Sequence, residues 1–259
     1  MVRFSANLGF LWPDRPLIER IEAAGRAGFK AVELHWPYDV PPEIVRQTCD
    51  RYHLQLLGIN TPLGGEKGDF GLAAVPGREA EFQTGLAMAI AYARTSGASA
   101  IHAMAGVVPA NQRDKARIVF RRNIGEAADK AAEHGITLLL EAINPRDQPG
   151  YFYSKVDEVA GLMSEINRPN LRMMFDVYHV GISEGDILTK LERHLPAIGH
   201  VQIAAVPSRA EPDEGEVAYR TIFEALDRLG YTGWVGCEYK PRGDTQEGLR
   251  WTEALGVTL

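Results

Sequence analysis

Short apolar runs alternate with amphipathic stretches along the chain, and one junction between them recurs. A stretch with helical spacing ends at a glycine, and an apolar run follows within a few residues. Gly28 leads into Ala31-Val32-Glu33-Leu34-His35, and Gly97 into Ala100-Ile101-His102-Ala103-Met104. Gly135 leads into Thr137-Leu138-Leu139-Leu140-Glu141, and Gly230 into Trp234-Val235-Gly236-Cys237-Glu238. Glycine after a helix accepts the left-handed conformation that closes the last turn. The stretches in between carry apolar residues at a period of about 3.6. Leu17, Ile21 and Ala24 share one face; Phe82, Leu86, Ala89, Ile90 and Ala93 share another. Phe120, Ile124, Ala127, Ala128 and Ala131 form a third, and Ile222, Phe223, Leu226 and Leu229 a fourth.

This pattern predicts eight strands, near residues 3–7, 31–35, 55–60, 100–105, 137–143, 171–178, 199–205 and 233–239. Seven helical stretches separate them, and an eighth is expected near 244–255. Eight units in 259 residues average about 32 residues each, the size of one βα pair. The predicted fold is α/β, a single (β/α)8 TIM barrel spanning residues 1–259. An open doubly wound sheet would need a glycine-rich phosphate turn after its first strand. The chain instead has Leu8-Gly9-Phe10-Leu11-Trp12-Pro13 there. The longest irregular segment, 61–77, holds five glycines and two prolines, which suggests a lid or binding loop.

Composition narrows the function classes. The formal charge of -6 argues against a surface built to coat nucleic acid phosphates. The start, Met1-Val2-Arg3-Phe4, shows no apolar block suited to a signal peptide, and no stretch reads as a membrane span. Cys49 and Cys237 are far apart and outside any CxxC pair, which fits a reducing cytosol and a cytoplasmic protein.

In a barrel, chemistry gathers at the carboxyl ends of the strands. Glu141, Asp176 and Glu238 each follow an apolar run at such an end, and Gln202 sits in the strand between the last two. Singly, each carboxylate reads equally well as the partner of a structural Arg or Lys. Together, desolvated and on neighbouring strands, they would repel one another, and a divalent cation removes both difficulties. With the Gln202 amide oxygen the set is four oxygens, which favours Mg²⁺ or Mn²⁺ over zinc. Lys240, two past Glu238, would share its face by strand alternation. A buried Glu–Arg or Glu–His pair explains Glu33 and His35 as well as function does, His102 and His200 read as interior histidines, and Arg121-Arg122 as a solvated face. Phe10, Trp12 and Trp36 are candidate pocket walls or plain packing.

Several strings then resemble one family. They are Arg3-Phe4-Ser5-Ala6-Asn7-Leu8, Pro76-Gly77-Arg78-Glu79-Ala80-Glu81-Phe82 and Glu141-Ala142-Ile143-Asn144. Asp176-Val177-Tyr178-His179, His200-Val201-Gln202-Ile203 and Arg209-Ala210-Glu211-Pro212 with Gly215-Glu216 follow. Gly236-Cys237-Glu238-Tyr239-Lys240-Pro241, the most specific, and Gly248-Leu249-Arg250-Trp251 complete the set. The chain thereby resembles the hydroxypyruvate isomerase group of the xylose isomerase-like TIM barrels, which includes 2-oxo-tetronate isomerases. The resemblance places Glu141, Asp176, Gln202 and Glu238 on metal positions, and Glu141 and Glu238 on a catalytic pair. It places Arg209, His179 and Asp147 on substrate-contact positions, Asp147 standing where related epimerases have a Glu. Those epimerases have His where this chain has Gln202, which leans away from ketose 3-epimerization.

The implied reaction is a metal-dependent aldose–ketose isomerization of a small hydroxy-oxo acid. For hydroxypyruvate it gives 2-hydroxy-3-oxopropanoate through an ene-diolate. A substrate ending in a carboxylate would need the cationic Arg209 or Lys240. Self-association into a homo-oligomer fits the group. A non-enzymatic sugar-acid binder and a phosphodiester-cleaving barrel are the competing classes. The first gains nothing from carboxylates facing an anion, and the second needs a histidine cluster that these strand ends lack.

Overall fold

The computed structural model describes residues 2–259; Met1 lies outside them. Nine parallel strands form one sheet: β1 (Arg3–Asn7), β2 (Ala31–Glu33), β3 (Gln55–Leu56), β4 (Gly58–Asn60), β5 (Ala100–His102), β6 (Thr137–Glu141), β7 (Leu171–Asp176), β8 (Ile198–Ile203) and β9 (Trp234–Cys237). Their spatial order is β3-β2-β1-β9-β8-β7-β6-β5-β4. β3 and β4 are two halves of the expected third strand, parted at Leu57. Leu57 N–H still donates to Val32 O (2.8 Å) and Leu34 N–H to Gly58 O (3.0 Å), so residues 55–60 join the two ends of the order into a ring. The eight expected staves of a (β/α)8 barrel are therefore present.

The helices are α1 (Leu17–Ala27), α2 (Pro42–Arg51), α3 (Glu79–Ser96), α4 (Arg113–Ala132), α5 (Val156–Ile166), α6 (Val177–Ser183), α7 (Ile187–His194), α8 (Tyr219–Arg228), α9 (Thr245–Gly248) and α10 (Trp251–Leu255). The apolar faces read from the sequence are the ones buried. Phe82, Leu86, Ala89, Ile90 and Ala93 of α3 and Phe120, Ile124, Ala127, Ala128 and Ala131 of α4 lie in the core. Leu229, expected on the fourth face, falls just after α8 and is only half-buried. Gly28 and Gly97 close α1 and α3 at φ 106° and 86°, the conformation their position called for. No helix among the described residues is long and apolar enough to cross a membrane.

Three expectations change in detail. The sixth strand stops at Asp176 rather than 178, because the Asp176 carboxylate accepts the Tyr178 N–H (2.8 Å) and caps α6. The eighth helical stretch is the short pair α9 and α10. The segment 61–77 is partly core: Leu72, Ala73 and Ala74 are buried and Gly71 bridges Ala105, while residues 65–68 are exposed.

The N-terminal strand is tied to the end of the chain by aromatic packing. Phe4, fully buried on β1, lies 5.2 Å from the rings of both Phe223 on α8 and Trp251 on α10, edge to face in each case. Phe4→Ala is expected to destabilise the fold by about 3–5 kcal/mol, read as a lower urea midpoint. A loss below about 1 kcal/mol would mean that this contact does not hold β1 to α8 and α10.

Candidate active site

The register of the barrel brings its polar strand ends to one rim. Asp176 lies opposite Gln202 across β7 and β8, and Gln202 opposite Gly236 across β8 and β9. Asn7 lies opposite Glu33, and Asn60 opposite His102. A cavity of about 820 Å³ runs inside the barrel. Asn7, Glu33, His102, Glu141, Gln202 and Glu238 line its upper end, and Thr137 and Arg172 its lower end.

Glu141, Asp176, His179 and Glu238 are buried and place one ligand-type atom each within 4.8 Å of one another. The three carboxylates are held differently. Glu238 accepts from Asn7 Nδ2 (3.1 Å) and pairs with His35 Nε2 (3.0 Å) through Oε1, and accepts from Arg209 Nη2 (2.8 Å) through Oε2. Burial opposes its charge, but the His35 hydrogen bond and the Arg209 guanidinium outweigh it and hold the carboxyl below the ordinary range. Glu141 has no such support. Burial, then the charges of Glu238 and Asp176, push its carboxyl well above the ordinary range. Asp176 is pushed up to about 8, first by burial and then by Glu238.

Glu141 Oε1, Asp176 Oδ2 and Gln202 Oε1 are buried and find no hydrogen-bond partner among the described residues. Orphaned buried oxygens are expensive, and several on adjacent strands mark a place where something electropositive belongs. The donor set fits a hard divalent cation.

His179 is the third residue of α6, where the expected strand would have ended. Its Nδ1 accepts the backbone N–H of Asn144 (3.2 Å), so the neutral ring carries its proton on Nε2. Burial and then Arg209 lower this histidine to about 3, which keeps it neutral. Nε2 lies 3.5 Å from Asp176 Oδ2 and 3.6 Å from Glu141 Oε1, and makes a hydrogen bond to neither. His102 lies across Glu141, with Nδ1 3.6 Å from Oε2. Burial lowers it to about 4.

Arg209 spans the mouth of the site. It donates to Glu238 (2.8 Å) and Asp147 (2.9 Å) while its guanidinium stacks 4.8 Å from the ring centres of both Phe10 and Tyr178. Tyr178 O–H also donates to Asp147 (3.1 Å). Arg209 has a φ of 59°, which few side-chain-bearing residues adopt, and its Nε is buried without a partner among the described residues. Its backbone carbonyl accepts the Lys240 N–H (2.7 Å), tying the loop after β8 to the end of β9.

Lys240 is exposed at this rim, its Nζ 6.0 Å from the Phe10 ring. β9 ends at Cys237, so Glu238 and Lys240 lie beyond the strand and alternation does not set their faces. Trp12 is buried against Phe29, 6.4 Å between ring centres, and is core. Glu33 forms a buried Glu–His pair, with His200 as its partner. His35 instead joins Glu238, a contact between residues 203 apart that only the closed ring makes. Asn7 and Asn144 were not singled out in the sequence. Their signal is their place in two of the strings that carry the resemblance, Arg3–Leu8 and Glu141–Asn144.

Fold and site together define a TIM barrel with a buried carboxylate centre at the carboxyl ends of its strands. The family model of xylose isomerase-like TIM barrels matches residues 21–255, and the chain belongs to that family. It is 44% identical over 253 residues to the 2-oxo-tetronate isomerase of Cupriavidus necator, covering 97% of both chains. It is 44% identical over 259 residues to the putative hydroxypyruvate isomerase of Mus musculus, covering 96% of this chain and 94% of that one. The crystal structure of a Brucella melitensis protein described as an AP endonuclease of family 2 superposes with a TM-score of 0.95 at 42% identity, covering 98% of both chains. The expected isomerase chemistry is that of the two curated relatives.

An acid whose carboxyl is raised by folding keeps its proton where the unfolded chain has lost it. Without a cation, Asp176 therefore makes stability fall as pH climbs from its ordinary value of 3.8 toward 8. Asp176→Asn removes that titration. In chelator-treated protein, the variant's Tm should rise relative to wild type between about pH 5 and 8. A Tm difference that stays flat over that range would contradict the burial described here.

Proposed function

We propose that the chain is a divalent-metal-dependent isomerase of small hydroxy-oxo acids, converting hydroxypyruvate to 2-hydroxy-3-oxopropanoate. The observation that carries this reading is the pair Glu141 and Glu238. Both are buried in one cluster at the carboxyl rim, three staves apart, with Glu141 Oε1 left unpartnered among the described residues and both oxygens of Glu238 hydrogen-bonded. Glu238 is held charged and serves as the base that takes a proton from the hydroxymethyl carbon. Glu141 returns a proton to the neighbouring carbon of the ene-diolate, the hydroxyl proton passes from the hydroxymethyl oxygen to the former carbonyl oxygen, and exchange with solvent resets the two carboxyls. The carbonyl becomes a hydroxyl, the hydroxymethyl group becomes an aldehyde, and no redox cofactor is consumed.

Glu141, Asp176, Gln202 and Glu238 would hold Mg²⁺ or Mn²⁺. Such a cation polarises the carbonyl and hydroxyl oxygens and stabilises the negative charge that deprotonation creates. His179, neutral with its proton on Nε2, donates to a substrate oxygen. Arg209 supplies the cation for the substrate carboxylate. Its unpartnered Nε supports that role, and Asp147, Phe10 and Tyr178 fix the plane of its fork. Lys240 adds positive charge at the rim.

The four-carbon 2-oxo-tetronates are the second reading, favoured by the Cupriavidus necator relative. A phosphodiester-cleaving reading has less support, because the one histidine inside the carboxylate cluster is turned to donate.

A substrate panel of hydroxypyruvate, 2-oxo-tetronates and free ketoses, with EDTA and metal add-back, separates these readings. Activity on hydroxypyruvate should vanish with EDTA and return with Mg²⁺ or Mn²⁺, with deuterium from D₂O entering the product. Glu141→Gln should lower kcat by about 10²–10⁴-fold while the fold survives. Wild-type kcat in that variant, or turnover without solvent exchange, would sink the assignment.

A further inference from the structure

We infer that Glu33 is a positioning residue that decides which end of the Gln202 amide faces the carboxylate cluster. The inference rests on the reading of Gln202 as a cation ligand. Glu33 ends β2 and is buried. Three side chains converge on its carboxylate. Ser5 Oγ donates to Oε1 (3.0 Å), His200 Nε2 lies 3.1 Å from both oxygens, and Gln202 Nε2 donates to Oε2 (2.8 Å).

Through that last bond the amide of Gln202 presents its NH₂ end to Glu33, and its oxygen is left pointing the other way. That oxygen is the one that is buried and unpartnered among the described residues. Gln202 sits across the ladder from Asp176 and lines the same cavity as Glu141 and Glu238. The two ends of an amide are nearly the same size, so packing alone would not choose between them. Turned around, the NH₂ group would face the cation's place and oppose its charge. Hydrogen bonding to Glu33 also makes the amide oxygen more electron-rich.

The position across the next ladder is shaped for this. A Cβ at Gly236 would lie 2.0 Å from Glu33 Oε1 and 2.9 Å from His200 Nε2. β9 thus has no side chain at Gly236, and the Glu33 carboxylate occupies that space. Ser5 and His200 fill the remaining acceptor positions of the carboxylate, which holds it still from the side away from the cluster.

The test is a double-mutant cycle read as Mn²⁺ dissociation constants, by electron paramagnetic resonance on chelator-treated full-length protein. Glu33→Ala should weaken Mn²⁺ binding by about 10–100-fold, and Gln202→Ala by a similar factor. In the Gln202→Ala background, removing Glu33 should add almost nothing. Glu33→Gln, which keeps the shape and one acceptor oxygen, should fall between wild type and Glu33→Ala, and it replaces Glu33→Ala in the cycle if that variant does not fold. Gly236→Ala should weaken Mn²⁺ with Gln202 present and not in its absence. Equal losses in both backgrounds would reduce Glu33 to general support and overturn the inference. So would unchanged affinity in Glu33→Ala and Glu33→Gln alongside a loss in Gln202→Ala. Failure of wild type to bind Mn²⁺ would instead overturn the metal reading, and this inference with it.

Discussion

Glu141, Asp176 and Glu238 bring like charges out of water to within 4.8 Å of one another, and the rest of the site is organised around that repulsion. Each buried charge would cost several kcal/mol if left alone. The protein answers for one of them in full. Glu238 has an arginine, a histidine and an asparagine amide on its two oxygens. It leaves Glu141 and half of Asp176 unanswered, and it leaves the Gln202 oxygen unanswered beside them. Such asymmetry is unfavourable for stability alone and useful for proton transfer, because it separates the proton affinities of two otherwise similar carboxylates.

The positive side of the balance comes from loops. Arg209 reaches the cluster from the turn after β8, pinned between two aromatic rings and bound to Asp147 from the loop after β6. A second clasp lies behind it. The buried Glu211 carboxylate accepts from the backbone and side chain of Arg242, which also binds Asp213 and Glu214. These contacts hold the loops after β8 and β9 together, so the guanidinium is presented by a braced segment rather than a free one. Arg209 adopts its left-handed backbone because both of its neighbours in space constrain it: its N–H donates to Ala205 O, and its carbonyl accepts from Lys240.

Much of this was legible along the chain because barrel strands are buried on both faces and read as continuous apolar runs. A polar residue closing such a run, as Glu141, Asp176 and Glu238 do, or interrupting one, as Gln202 does, stands out. His179 and Arg209 carried little local signal and came from family resemblance. Several expected strands run past the observed ends, 31–35 against Ala31–Glu33 and 233–239 against Trp234–Cys237 among them, and at β7 a side chain captures the backbone. The Asp176 carboxylate starting α6 is the clearest case, since Val177 and Tyr178 are good strand formers and only the cap turns them helical. The segment 61–77 looked like a lid because glycine and proline dominate it. Its apolar Leu72, Ala73 and Ala74 were enough to pull half of it into the core.

From its residues alone this chain specified the βα alternation, the faces of its helices and the carboxylates at its strand ends. Each of these depends on neighbours within a turn or a strand, so periodicity exposes it. Closing the ring decided the rest. His35 meets Glu238 and Gln202 meets Glu33 across separations of 203 and 169 residues, and no local pattern encodes such pairs. Which carboxylate is charged, which histidine nitrogen carries the proton and which end of an amide faces the centre all follow from those long-range contacts. A proton's position is set by what surrounds it in space, and that exists only after the barrel has closed.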